Sequence, residues 1–159
     1  MGCHGAAILG SENLKDYLVN FSRSFIYTTA LPPHSLATIH AAYHELVETE
    51  NRNKLHQNIQ FFKAELEKIG ISVFPFGEMP AGQWGFIESH SAIHCCIVSG
   101  NDTIKLIAKK LQDKGFDVKP ILSPTVPKGE ERLRFCLHSY NSKEDISKVL
   151  HLLTTFVNI

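Results

Sequence analysis

From His34 to Ile69 the chain carries an apolar pattern of helical period, and this constrains the fold more than any other feature. Leu36, Ile39, Tyr43, Leu46 and Val47 share one helical face, and Leu55, Ile59, Phe62, Leu66 and Ile69 resume it after a polar interval, Glu48 to Lys54. Pro33 suits a first helical turn, and Gly70 suits the position just past a helix end, where a left-handed residue is needed. The spacing predicts one long helix over 36–70, or two nearly in line with a break near 48–54. Such a helix reads as a connector between a short region, 1–35, and a longer one, 71–159.

The longer region reads as α/β. Ile93 to Val98 is a strand, and Asn101 to Lys114 is a helix with Ile104, Ile107, Ala108 and Leu111 inward, closed by Gly115. Phe116 to Ile121 is a second strand, moved to an edge by Pro120, and Arg132 to His138 is a third. The last helix opens on Ser142 and Asp145, a capping-box pattern with Asp in place of Glu, and turns Ile146, Val149, Leu150, Leu153 and Phe156 inward. The expected architecture is α/β of the α+β type, a three-stranded, mainly antiparallel sheet with helices on one face. Before the long helix, Ile8-Leu9 suggests a short strand and Ser11 caps a helix through about Phe21. Residues 24–33 break regular structure.

Composition excludes some functions. Lys plus Arg equals Asp plus Glu, 16 each, so the chain has no net charge to draw it to nucleic acid or an anionic membrane. No apolar run approaches the roughly 18 residues of a membrane span. The start, Met1-Gly2-Cys3-His4-Gly5, lacks a basic segment and an apolar stretch, so a cytoplasmic location is expected. Cys3, Cys95, Cys96 and Cys136 are irregularly spaced, with one adjacent pair, and read as reduced thiols rather than a disulfide framework.

Chemistry concentrates in Arg132-Leu133-Arg134-Phe135-Cys136-Leu137-His138. Alternation places Leu133, Phe135 and Leu137 on one face and Arg132, Arg134, Cys136 and His138 on the other. A mid-strand arginine opposite an apolar face is placed to grip a carboxylate through two hydrogen bonds. Spacing alone favours the plainer reading, a solvated second face. The preceding loop, Ser123-Pro124-Thr125-Val126-Pro127, is stiffened by its prolines, which suits site residues but also an ordinary connection. Cys3–His4, His94–Cys95–Cys96 and Cys136…His138 match neither a Cys-x-x-Cys knuckle nor a His-x-x-x-His helix pair, so no metal site is expected. No Ser/His/Asp arrangement, Walker-type loop or defined pair of acids can be read.

Several segments together resemble one family. Gly2-Cys3-His4-Gly5-Ala6, Ser24-Phe25-Ile26-Tyr27-Thr28-Thr29-Ala30-Leu31-Pro32-Pro33, Ser123-Pro124-Thr125-Val126-Pro127 and Glu131-Arg132-Leu133-Arg134 are similar to segments of the α-oxoamine synthases, fold-type-I pyridoxal-phosphate enzymes. The resemblance covers essentially the whole chain. It implies the C-terminal small domain of such an enzyme (71–159), a connecting helix (36–70) and a remnant of the large cofactor domain (1–35). It places the Schiff-base lysine two positions before Met1, so no catalytic residue is expected within these residues and the chain alone should be inactive. For the intact enzyme it implies pyridoxal 5'-phosphate as cofactor and a homodimer with shared sites. The nearest likeness is to the member that condenses L-alanine with a pimeloyl thioester, carried by coenzyme A or an acyl-carrier protein. By the same resemblance Arg134 grips the amino-acid carboxylate, Thr125 lines the substrate pocket, and Thr28 and Thr29 reach the cofactor phosphate of the neighbouring subunit. Members using glycine with acetyl-CoA, or serine with a long acyl-CoA, share this pattern. A non-catalytic α/β module that binds a small acid or a protein is the remaining alternative. In the 1–35 region, Phe21, Phe25, Ile26 and Leu31 should lie exposed.

Overall fold

The computed structural model describes residues 7–48, 50–80 and 82–157, together with the backbone but not the side chain of Glu48. Met1 and the Gly2–Ala6 segment therefore lie outside the described residues. The chain divides into two compact units, 1–49 and 50–159.

The first unit is helical. Ser11 caps α1 (Glu12–Phe21) by accepting the Leu14 N–H on its hydroxyl at 3.3 Å, as its position before the apolar run predicts. A short α2 (Arg23–Ile26) follows, where an irregular segment is expected, and α3 spans Pro33–Glu48. The strand expected at Ile8-Leu9 does not form; both residues are extended to solvent with no partner strand among the described residues. No side chain in α1 or α2 is buried, and Phe21, Phe25, Ile26 and Leu31 are exposed, as expected.

The second unit opens with α4 (Asn51–Ile69), so the long helical pattern is two helices separated at the polar interval. Gly70 ends α4 at φ 78°, and its N–H returns to Glu67 and Leu66 carbonyls. Five strands follow with two helices: β1 (Val73–Phe74), β2 (Gly85–Ile87), β3 (Ile93–Ile97), α5 (Asn101–Gln112), β4 (Lys119–Ile121), β5 (Arg132–Cys136) and α6 (Lys143–Val157). They form one sheet in the order β1-β2-β3-β5-β4. This corrects the three-stranded expectation: β1 and β2 extend the sheet, and their pairing is parallel while the other three pairings are antiparallel. Both added strands are too short, two and three residues, to display an alternation in the sequence. The expected strand at Phe116 shortens to Lys119–Ile121, because Phe116 is used in closing α5 through its N–H to the Leu111 carbonyl.

Helices α4, α5 and α6 supply one layer and the sheet the other. Phe62, Leu66, Ile104, Leu111, Leu150 and Leu153 from the helices meet Phe86, Cys96, Leu133 and Phe135 from the sheet. Phe62 lies at the centre, its ring 5.4 Å from Phe86, 4.5 Å from His94 and 6.3 Å from Phe135. The Ser142–Asp145 cap forms as read: the Ser142 hydroxyl accepts the Asp145 N–H at 3.1 Å and donates to its carboxylate at 2.8 Å. Among the described residues no helix is long and apolar enough to cross a membrane.

Candidate carboxylate-binding site

Strand β5 separates two environments. Leu133 and Phe135 point into the core, while Arg132, Arg134 and Cys136 point to the opposite face, as alternation requires. The two arginines on that face differ. Arg132 is tied down: its Nε donates to the Glu130 carbonyl and its Nη2 to Glu130 Oε2, both at 3.0 Å, and its side chain is largely covered. Arg134 is exposed and has neither ion pair nor hydrogen bond among the described residues. A guanidinium left with all its donors free is the group that can accept an incoming carboxylate bidentately.

Its neighbours follow from strand register. Arg134 faces Cys95 on β3 and Lys119 on β4. The flanking backbone bonds, Val98 N–H to Glu131 O and Leu137 N–H to Ala92 O, are odd-even partners of this register, so Cys95–Arg134 is a non-hydrogen-bonded pair with side chains close together. Burial raises the Cys95 thiol, and the nearby Arg132 and Arg134 charges only partly oppose this. Burial also raises Cys96, which sits fully enclosed on the inner face, so neither thiol is an activated nucleophile. Arg134 lines a cleft of about 600 Å³ with Lys119, Cys136, His138 and Tyr140, bounded on its far side by Lys148 of α6. Here β5 outruns β4, whose pairing ends at Arg134, and Phe62, Phe135 and Val149 also line the cleft.

What holds β5 in place is Glu131, which the sequence reading passed over. Its carboxylate is buried and Oε2 accepts the Gly100 and Gly129 N–H groups, each at 3.0 Å. These bonds, Gly100 first, hold its pKa below the usual carboxylate range. Gly100 and Gly129 have φ of 101° and 93°, conformations a side chain would strain, and both turn their N–H groups inward. The signal was present: Glu131 is in phase with Leu133 and Phe135, so alternation places a carboxylate on the core face. His94 obeys the same rule and is buried beside Cys96 with Cys95 opposite, as alternation predicts.

Thr125 is exposed in the loop between β4 and β5, and is not among the residues lining the Arg134 cleft. The loop is anchored by Asn101, whose Oδ1 accepts the Ser123 N–H at 3.0 Å. Thr28 and Thr29 lie in the other unit, in the turn after α2, both exposed, with the Thr28 hydroxyl donating to the Thr29 carbonyl at 3.2 Å. Each carries a hydroxyl, a group that can donate to an anion. The only lysine of that unit is Lys15, on α1, beyond the segment where the resemblance expects the Schiff-base residue. Among the described residues no group of three or more His, Cys, Asp or Glu side chains could hold a metal.

An 8-amino-7-oxononanoate synthase from Saccharophagus degradans is 37% identical over 155 residues, 96% of this chain and 35% of that protein. One from Emericella nidulans is 35% identical over 161 residues, 99% of this chain and 37% of that protein. The chain thus spans little more than a third of the length of these relatives. Among solved structures, the 8-amino-7-oxononanoate synthase of Francisella tularensis superposes with a TM-score of 0.69 at 28% identity, over 93% of this chain and 40% of that one. A Sphingomonas wittichii serine palmitoyltransferase shares the fold, with a TM-score of 0.71 at 21% identity, over 91% of this chain and 34% of its own. These neighbours are α-oxoamine synthases, the group that the sequence resembles. The pattern of the aminotransferase class I and II family matches residues 1–153, and the chain belongs to that family.

Proposed function

We propose that this chain is the carboxylate-gripping part of an 8-amino-7-oxononanoate synthase, which condenses L-alanine with a pimeloyl thioester in biotin biosynthesis. The observation that carries the reading is the contrast on β5: Arg132 is spent on Glu130, whereas Arg134 is left without a hydrogen bond or ion pair among the described residues. In the reaction the alanine Cα–H proton is removed, Cα attacks the thioester carbonyl and the thiol departs. The original carboxylate then leaves as carbon dioxide, giving 8-amino-7-oxononanoate. Pyridoxal phosphate, when bound, supplies the electron sink that makes the alanine Cα acidic.

The chain's own residues act on the substrate end. Arg134 holds the alanine carboxylate in one plane, restricting rotation about the Cα–carboxyl bond and so fixing which Cα bond is presented for reaction. Glu131 keeps β5 in register beneath it. In the intact enzyme Thr125, on the stiff Pro124–Pro127 loop, lines a part of the substrate pocket outside the Arg134 cleft, and Thr28 and Thr29 donate hydroxyls to the cofactor phosphate of a neighbouring subunit in a homodimer. Residues 1–35 complete a large cofactor domain, 36–70 connect, and 71–159 form the small domain. The protein is cytoplasmic in this reading.

Arg134→Ala in the intact enzyme tests it. Alanine affinity, read from the cofactor's absorbance change, should weaken by about 2–5 kcal/mol, the cost of removing one partner of a desolvated charge pair. Unchanged alanine affinity removes Arg134 from the site. Assays with alanine, glycine and serine against pimeloyl, acetyl and palmitoyl thioesters separate this reading from the other α-oxoamine synthases.

A further inference from the structure

Helix α3 (Pro33–Glu48) carries His40 and His44 one helical turn apart. Residues four apart project from the same side of a helix. Both rings are exposed, their Nε2 atoms lie 3.3 Å apart, and their centroids are 4.5 Å apart at an interplanar angle of 66°. Without a ligand, the two nitrogens can share one proton, one ring donating and the other accepting. The same geometry suits a chelate. Two metal–nitrogen bonds of about 2.0–2.1 Å meeting at a tetrahedral angle place the nitrogens about 3.3–3.4 Å apart.

We propose that His40 and His44 form a two-histidine chelating site for a borderline divalent transition ion of the nickel, copper and zinc class. Both imidazoles bind neutral through Nε2. The ring that donated its Nε2 proton to its neighbour carries that proton on Nδ1 instead, so no net proton is released. Water fills the remaining coordination positions, and the ordering of metals follows ligand type, with imidazole favouring copper and nickel. Other histidines of the chain are placed differently: His94 is buried under Phe62, His138 stacks on Tyr140, and His90 lies beside Lys63. The site stands on α3 alone and is independent of the role proposed for Arg134.

Isothermal titration of nickel chloride into the untagged 159-residue chain at pH 7.5 tests the proposal. One saturable equivalent is expected. Loss of a supporting partner alone costs about 10–100-fold in metal affinity, and loss of a ligand costs no less, so His40→Ala and His44→Ala should each weaken nickel roughly tenfold or more. The double variant should fall little further, because chelation needs both rings. His34→Ala, on the same helix, should leave the titration unchanged, and circular dichroism should report equal helicity for all variants. Nickel affinity preserved in both single variants, or no saturable binding by the unaltered chain, overturns the proposal. A second measurement needs no variant: one equivalent of copper(II) should show hyperfine coupling to two nitrogens in its electron paramagnetic resonance spectrum, and coupling to none overturns it.

Discussion

On the inner face of the sheet Phe86, Cys96, Leu133 and Phe135 are at most 5% exposed, whereas on the outer face of the same strands Arg134 and Cys136 stand open to solvent. The backbone is shared; what differs is the covering. The inner face is covered by α4, α5 and α6, so apolar area removed from water there stabilises the unit at roughly 25 cal/mol per Å². Within this unit and among the described residues the outer face has no such helical layer, and Arg134 and Cys136 are exposed there. The two polar groups that do point inward obey the rule of the interior in opposite ways. Glu131 Oε2 accepts two backbone N–H groups, while His94 Nε2 has no partner among the described residues. The comparison teaches that stability and binding are sorted by strand parity, residue by residue, within one β5.

The sharpest way to break that division is to empty the inner face. Phe62 is fully buried and touches three aromatic rings of the sheet. Phe62→Ala should cost about 3–5 kcal/mol of unfolding free energy in urea titration, the loss from transfer plus an unfilled cavity. A loss below about 1 kcal/mol, the scale of a surface substitution, would mean that the inner face is not the source of cohesion.

His94 offers a milder probe of the same face. Burial, and secondarily the Lys63 ammonium, push its pKa from 6.5 down to about 4. The unfolded chain takes up a proton near pH 6.5 and the folded one only near 4, so stability falls as pH drops through this window. At 1.36 kcal/mol per pH unit the loss is about 3 kcal/mol, complete by pH 4. Below about pH 4.5 the carboxylates of Glu65 and Glu131, whose pKa values are lowered by hydrogen bonds, add a further decline of the same sign. Urea unfolding at intervals between pH 7 and 4.5 reads the first effect before the second begins. His94→Gln should flatten that interval, and a slope that persists would assign the titration to another group.

Legibility in the sequence followed the same physics. Long periodic segments spoke for themselves: α4, α5 and α6 and the two faces of β5 all follow from spacing, because burial of one face imposes a repeat. The Ser11 and Ser142 caps were readable because capping is a local, side-chain-to-backbone interaction. Strands β1 and β2 were not, since two and three residues cannot show a period and their place depends on pairing across a ten-residue Pro- and Gly-containing loop. Gly85 belongs to that hidden information: a Cβ there would meet the Ser72 carbonyl at 2.6 Å and the Phe74 ring at 2.7 Å, a contact visible only once the strands are paired. The candidate site was half legible. Alternation put Arg132 and Arg134 on one face, but only the Glu130 contacts, which spend one arginine and leave the other, tell the two apart.

The smallest expected effect is the most discriminating. If the outer face contributes nothing to cohesion, Arg134→Ala should shift unfolding free energy by no more than about 0.5 kcal/mol, the range of a surface change away from caps, cavities and ion pairs. The side chain has no hydrogen bond or ion pair to abandon among the described residues, and its removal also relieves the like charges of Arg132 and Lys119 nearby on the same face. Arg132→Ala differs in kind, because it frees the Glu130 carboxylate and uncovers the surface its stem shields. Urea titration of both variants at pH 7 therefore ranks them: Arg132→Ala is the more destabilising and Arg134→Ala is neutral. An Arg134→Ala chain that unfolds more readily than Arg132→Ala would make Arg134 a structural residue and withdraw the basis for its role in binding a carboxylate.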